Sequence, residues 1–260
     1  MSWSAQQYTT FEKERTRPVR DLLNAVDMES PRRAIDLGCG PGNSTEVLAE
    51  RFPGAAILGF DSSADMIDAA RRRLPRLQFD LGDIQTWNAP EDDPGGFDII
   101  LANAVLQWVP NHDSLMPRLM RALSDGGSLA VQMPDNLEEP AHQLMRQMAS
   151  EPRFAGKLST AAGSRQARVD ATWYYKLLRP HATRVDVWRT TYHHVLSGGT
   201  DAIVEWFKGS GLRPFLAPLD PVEQQAFLAD YRAALIDAYP VMADGSVLLP
   251  FPRLFVVAVR

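Results

Sequence analysis

The chain has 260 residues, 45% of them hydrophobic, and a formal net charge of -5, enough apolar material to bury a sizeable core in one large domain or a domain with an elaborated cap. Acidic and basic residues are mixed along it, so the basic stripe that a phosphate backbone requires is missing and nucleic acid is not expected as a partner. No stretch is apolar enough to span a bilayer, the polar start Met1-Ser2-Trp3-Ser4-Ala5-Gln6 lacks an export pattern, and the lone Cys39 fits a reducing compartment. The expectation is a soluble cytoplasmic protein that meets no membrane and has no obligate protein partner.

Residues 1–30 read as a helical cap in which Tyr8, Phe11, Leu22, Leu23 and Val26 form an apolar face interrupted at Pro18. Ala34-Ile35-Asp36-Leu37 reads as a buried strand, Ser44 to Phe52 as a helix with Val47, Leu48 and Phe52 inward, and Ala56 to Phe60 as a second strand, which makes a βαβ unit. Ser62 or Ser63 caps the next helix, with Met66, Ile67 and Ala70 on one side, and Leu77-Gln78-Phe79 forms a third strand. Phe97 to Ala102 is the fourth and most apolar strand. Leu115, Met116, Leu119, Met120 and Leu123 then recur at helical spacing, and Gly127 to Met133 is a fifth strand. From Pro134 a polar segment reads as helices and loops, Arg184 to Tyr192 alternates as a half-exposed strand does, and Phe227, Tyr231, Leu235 and Ala238 mark the longest helix of a second insertion. Leu254 to Val259 closes the chain as a seventh, buried strand. The predicted architecture is α/β: one Rossmann-like, doubly wound domain over residues 1–260 with a mostly parallel seven-stranded sheet. Residues 134–183 and 197–246 are helical insertions that, with the N-terminal cap, are expected to form a lid over an acceptor.

The stretch Asp36-Leu37-Gly38-Cys39-Gly40-Pro41-Gly42-Asn43 links the first strand to the first helix after it. Three alternating glycines there argue for close approach by a bound molecule. A phosphate loop needs Gly-Lys-Ser or Gly-Lys-Thr, which is absent. A dinucleotide turn wants a third glycine where Asn43 stands, and Pro41 has no N–H to give a pyrophosphate. The pattern suits a ligand without phosphate. Asp61, ending the second strand, is placed to accept from both hydroxyls of a ribose; Asp83 can take an exocyclic amine while Ile84 covers an apolar ring; Asn103 ends the fourth strand. Each has a plainer reading as a cap, a turn or a cleft-facing polar residue. Yet Asp36, Asp61, Asp83 and Asn103 all fall at the carboxyl edge, where open parallel sheets bind ligands. Together they describe S-adenosylmethionine.

These motifs resemble those of the class I S-adenosylmethionine-dependent methyltransferases, with Asp36, Gly38, Gly40, Gly42, Asn43, Asp61, Ser62, Met66, Asp83, Ile84 and Asn103 as the cofactor set. Over nearly the whole chain, the runs Asp36 to Thr45, Leu106-Gln107-Trp108, Val131 to Asn136, Trp188 to Tyr192, Gly211 to Pro214 and Phe251 to Phe255 resemble the bacterial trans-aconitate 2-methyltransferases. That resemblance implies methyl transfer to a carboxylate of trans-aconitate, with cis-aconitate, isocitrate and citrate as further acceptors, giving a monomethyl ester and S-adenosylhomocysteine. A tricarboxylate needs cations, and Arg15, Arg189, Arg213 and Arg253 are the candidates, with Lys208, Tyr192 and His193 as further donors. Arg189 ranks first. Strand alternation sends Arg189, Thr191 and His193 one way and Trp188, Thr190, Tyr192 and His194 the other, so Arg189 and Tyr192 should not both face one pocket unless the strand bulges. Tyr8, Phe11, Gln107 and Trp108 are candidate walls. An acceptor carboxylate is already ionised at neutral pH, so no catalytic base is expected, and no Cys/His cluster has metal-ligand spacing, so no metal is expected. Two other readings stand beside this one: a methyltransferase for another small acceptor, such as a quinone precursor or an acyl-carrier thioester, and a ligand-binding module without catalysis.

Overall fold

The computed structural model describes residues 12–89, 95–163 and 170–260, apart from the side chains of residues 12–15 and 162. Tyr8, Phe11 and the Arg15 side chain lie outside the described residues. In chain order the elements are α1 (Glu12–Asn24), β1 (Arg33–Leu37), α2 (Asn43–Arg51), β2 (Ala56–Asp61), α3 (Ala64–Arg73), β3 (Gln78–Leu81), β4 (Phe97–Asn103), a short 3-10 turn (Leu106–Trp108), α4 (His112–Arg121) and β5 (Leu123–Pro134). They continue as α5 (Pro140–Ala149), α6 (Pro152–Gly163), α7 (Ala171–Leu178), β6 (Arg184–Ser197), α8 (Gly199–Lys208), α9 (Arg213–Leu216), α10 (Pro221–Ala238) and β7 (Ser246–Val259).

The seven strands form one sheet in the order β3-β2-β1-β4-β5-β7-β6. β1 pairs in parallel with β2 and β4, β2 with β3, and β4 with β5. The Arg260 N–H reaches Gly127 O (2.9 Å) and the Asp135 N–H reaches Pro252 O (2.8 Å), so β7 runs antiparallel to β5. Over the parallel strands, chain order runs outward from the β1–β4 pair, to β2 and β3 on one side and to β5 on the other, which makes the carboxyl ends of β1 and β4 the switch point at which such sheets take ligands.

Two compact units divide the chain. Unit 1 takes in the described residues up to Pro134, those from 170 to Thr190, and Leu254–Arg260. Its main core joins Ile35 and Leu37 of β1, Ile100 of β4, Leu129 and Val131 of β5 and Val256 of β7 to Met116, Leu119 and Met120 of α4 and to Tyr174 and Leu178 of α7. A smaller cluster of Cys39, Ile67, Ala70 and Phe79 packs α3 beneath the glycine turn. Unit 2 holds Asp135 to 163 and Thr191–Arg253. There α10 starts on a reciprocal cap: Asp220 accepts from the Val222 and Glu223 N–H groups, and the Glu223 carboxylate accepts from the Asp220 N–H. Its inward stripe is Phe227, Tyr231 and Leu235. The Tyr231 hydroxyl donates to Ala141 O and the Tyr239 hydroxyl accepts from Ala141 N–H, both at 3.0 Å, which ties α10 and the residue after it to the start of α5.

Three strands extend beyond the sequence reading by four residues or more. β5 begins at Leu123, which the helical spacing had assigned to α4; Phe97 pairs with Leu123 and Ile99 with Ser128, so a bulge absorbs the polar run Ser124-Asp125-Gly126. β6 runs on to Ser197, with Tyr192, His194 and Leu196 buried and Thr191, His193 and Val195 exposed. β7 begins at Ser246; its Pro250 and Pro252 read as strand breakers, although Pro252 still accepts the Asp135 N–H through its carbonyl.

Candidate active site

The turn after β1 is shaped by its backbone. Gly38, Gly40 and Gly42 all lie in the left-handed region, at φ +74°, +54° and +92°, where a side chain costs roughly 1–2 kcal/mol. Their surroundings differ. A Cβ on Gly38 would lie 2.3 Å from Cγ2 of Val105, so that glycine lets the turn pack against the segment after β4. On Gly42 it would meet Ala70 of α3 and Leu74, the residue that ends that helix, each at 3.4 Å. On Gly40 it would meet nothing within 4 Å, so of the three only Gly40 opens on free space. The N–H groups of Gly38 and Cys39 donate to Phe60 O (2.7 and 3.1 Å), and the Gly40 N–H donates to Oδ2 of Asp61 (3.0 Å), which fastens the turn to the end of β2.

Asp61 also accepts from the Ser63 N–H through Oδ1 (2.9 Å). Two hydrogen bonds leave its carboxylate about two further acceptor positions, the number a ribose diol needs. Asp36 is fully buried on β1, with Oδ2 accepting from the hydroxyls of Ser44 and Thr45 at 2.7 Å each. Its Oδ1 is buried with no hydrogen-bond partner among the described residues. Burial pushes its carboxyl up to about 6; the Thr45 and Ser44 hydroxyls pull against that and the Asp61 charge adds to it. Cys39, between the first two glycines, is 2% exposed, and burial first, then the Asp36 and Asp61 charges, drive its thiol far above the ordinary range.

The remaining cofactor candidates spread along the same edge of unit 1. Ser62 is exposed, Met66 is buried on α3, and Asn43 opens α2 half-buried. Asp83 is exposed after β3, accepting from the Gln85 N–H (2.8 Å), while Ile84 is 6% exposed in the main core. Asn103 ends β4 and accepts from Gln132 Nε2 (2.8 Å). Past it, Ala104 sits at φ +52°, its N–H donating to Gln132 O (2.8 Å) and its carbonyl accepting from the Gln107 side-chain amide. His112 donates from Nε2 to Leu106 O (2.9 Å), and its Nδ1 lies 2.7 Å from the Tyr174 hydroxyl, so the 3-10 turn carrying Gln107 and Trp108 is held from α4 and α7. Trp108 is 50% exposed, which sets aside simple core packing for it.

The acceptor candidates divide between the units. Arg189 belongs to unit 1 and lies on the exposed face of β6. The alternation read from the sequence holds: Tyr192 is buried on the opposite face and His193 is exposed. In unit 2, Lys208 is paired with Glu205, Arg213 opens α9, and Arg253 is 4% exposed with its guanidinium 4.8 Å from the centroid of the Phe251 ring. Arg253 is thus buried against an aromatic ring, whereas Arg189 faces solvent.

An open cradle at Gly40, a buried acceptor left over on Asp36 and spare acceptor capacity on Asp61 fit S-adenosylmethionine, whose ammonium and ribose are donors and which carries no phosphate. Among the described residues no group of three or more His, Cys, Asp or Glu side chains is placed to hold a metal ion, and no helix is long and apolar enough to cross a membrane.

Strand order, glycine turn and acidic edge define a methyltransferase domain, and the family model described as "Methyltransferase domain" matches residues 29–182. A solved structure of the YcgJ protein from Bacillus subtilis shares the fold with a TM-score of 0.61 at 12% identity, covering 94% of this chain and 98% of that one. A protein of Methylobacterium nodulans named trans-aconitate 2-methyltransferase is 57% identical over 99% of this chain and 98% of its own length, and one of the same name from Rhodopseudomonas palustris is 52% identical over 99% of each. The chain belongs to the trans-aconitate 2-methyltransferase family.

Proposed function

We propose that this protein transfers a methyl group from S-adenosylmethionine to a carboxylate of trans-aconitate, giving a monomethyl ester. Identity of 57% across 99% of the chain carries the reading, because it extends through the later half, outside the cofactor motifs. At the carboxyl edge of unit 1, Asp61 would hold the ribose of the cofactor, Asp83 and Ile84 its adenine, and Asp36 with the turn at Gly40 its methionine end. Bound there, S-adenosylmethionine supplies a methyl group on a positively charged sulfur. The acceptor's carboxylates titrate near pH 4 and are ionised at neutral pH, so the protein has no proton to remove and no general base to provide. Its residues bind, orient and exclude water, and orientation of this kind can lower a barrier by roughly 7–11 kcal/mol in favourable cases. Arg189, on the exposed face of β6 in unit 1, is the cation assigned to an acceptor carboxylate. A small soluble acceptor and a lone buried cysteine suit work in the cytoplasm.

Incubating the purified protein with methyl-labelled S-adenosylmethionine and a panel of acids tests this. Label is expected in an ester of trans-aconitate, with less or none in cis-aconitate, isocitrate and citrate; failure to label any tricarboxylate overturns the acceptor. Arg189→Met is expected to raise KM for trans-aconitate at least tenfold with little change in cofactor affinity, since an ionic hydrogen bond is worth roughly 1.5–3 kcal/mol.

A further inference from the structure

The side-chain amide of Gln107 has one polar end spent and one left over. The atom facing Ala104 O must be its nitrogen, because a carbonyl can only accept. Oε1 is therefore the remaining end, and it is buried with no hydrogen-bond partner among the described residues. The amide is fixed in this sense by a strained residue: Ala104, at φ +52°, is tied through its N–H to Gln132 and through its carbonyl to Gln107 itself. Left-handed geometry at a residue with a side chain persists only where neighbours enforce it, and such positions gather at ligand sites.

What Oε1 can bind follows from its chemistry. It accepts and cannot donate. Trans-aconitate at neutral pH has three ionised carboxylates and no donor, so its oxygens are repelled by this atom. The donors must come from the cofactor, and the sheet says which. Asp83 follows β3 and Asp61 ends β2, while β1 and β4 come next in the order β3-β2-β1-β4. A ligand with its base by β3 and its ribose at β2 reaches β1 and β4 with its amino-acid end. Val105 fills the space beside Gly38, so the segment bearing Gln107 abuts the turn that follows Asp36, whose Oδ1 is likewise left without a partner among the described residues.

We propose that Gln107 belongs to the methyl-donor site, its side-chain carbonyl accepting a hydrogen bond from the α-ammonium of the bound cofactor. This moves Gln107 from the acceptor wall, where the sequence reading set it, to a positioning role that fixes the methionine arm. It rests on the cofactor half of the proposed function and is independent of the acceptor.

Calorimetric titration without acceptor tests it, using S-adenosylhomocysteine and its desamino analogue, in which hydrogen replaces the α-ammonium. Gln107→Leu is expected to weaken S-adenosylhomocysteine by about tenfold or more, the scale of one hydrogen bond to a charged group, and to leave the desamino analogue unchanged. Gln107→Glu, which keeps the acceptor, is expected to bind S-adenosylhomocysteine at least as well as the parent protein. Equal weakening of both ligands, or unchanged affinity for both with a raised KM for trans-aconitate, overturns the assignment. Should Gln107→Leu fail to fold, Gln107→Glu decides: weaker S-adenosylhomocysteine binding in that variant overturns it. If the parent protein binds no S-adenosylhomocysteine, the cofactor reading falls and this assignment with it; binding without turnover of trans-aconitate removes only the acceptor.

Discussion

Asp36 shows how one carboxyl can serve binding at the expense of stability. The folded protein holds its proton more tightly than the unfolded chain does, since burial lifts it from 3.8 to about 6. It therefore favours the folded state fully below about pH 3.8, and that contribution is lost as pH rises through about 6. At neutral pH the buried anion costs on the order of 3 kcal/mol. Asp36→Asn should unfold no more easily than the parent protein at pH 8, with denaturant titration showing a gain of about 1 kcal/mol, while affinity for S-adenosylhomocysteine drops at least tenfold. With the ligand ammonium on Asp36, as proposed, affinity in the parent protein should weaken below about pH 6, approaching roughly tenfold per pH unit. In Asp36→Asn the same titration should be nearly flat.

At the scale of elements, the glycine turn separates two effects that a single motif conceals. Gly38→Ala meets both a left-handed backbone and Val105 at 2.3 Å, and should destabilise by about 2–4 kcal/mol in thermal unfolding. Gly40→Ala meets only the backbone, so it should cost about 1–2 kcal/mol in stability and show its larger effect as lost cofactor affinity. The turn, its flanking strands and the acids at their ends were legible because apolar period and glycine spacing are local signals. The starts of β5 and β7 were not: polar residues of a bulge erase the period at Ser124–Gly126, and Pro250 and Pro252 read as breaks. The orientation of the Gln107 side chain was not legible for a related reason. Its direction depends on the left-handed turn at Ala104, and alanine does not advertise that conformation. Among the arginines, the alternation of β6 was readable, but the burial of Arg253 depends on packing that no local pattern encodes.

For the whole molecule, the described cofactor candidates all fall in unit 1, and their ligand should stabilise the fold that contains them. S-adenosylhomocysteine at a hundred times its Kd adds about 2.7 kcal/mol to folding by mass action, which calorimetry should register as a Tm several degrees higher. Cys39 turns the same linkage into a clock. It is the only thiol in the chain, it sits in the glycine turn proposed to receive the ligand, and it is buried and held in its unreactive protonated form. An alkylating reagent in solution must therefore wait for that turn to open. The adduct accumulates at a rate proportional to the open population, and each added increment of S-adenosylhomocysteine slows it by the factor that ligand binding removes from that population. A mass spectrum of one native cysteine, followed over time, thus yields both the free energy of opening and the ligand's dissociation constant, with no turnover, label or engineered probe.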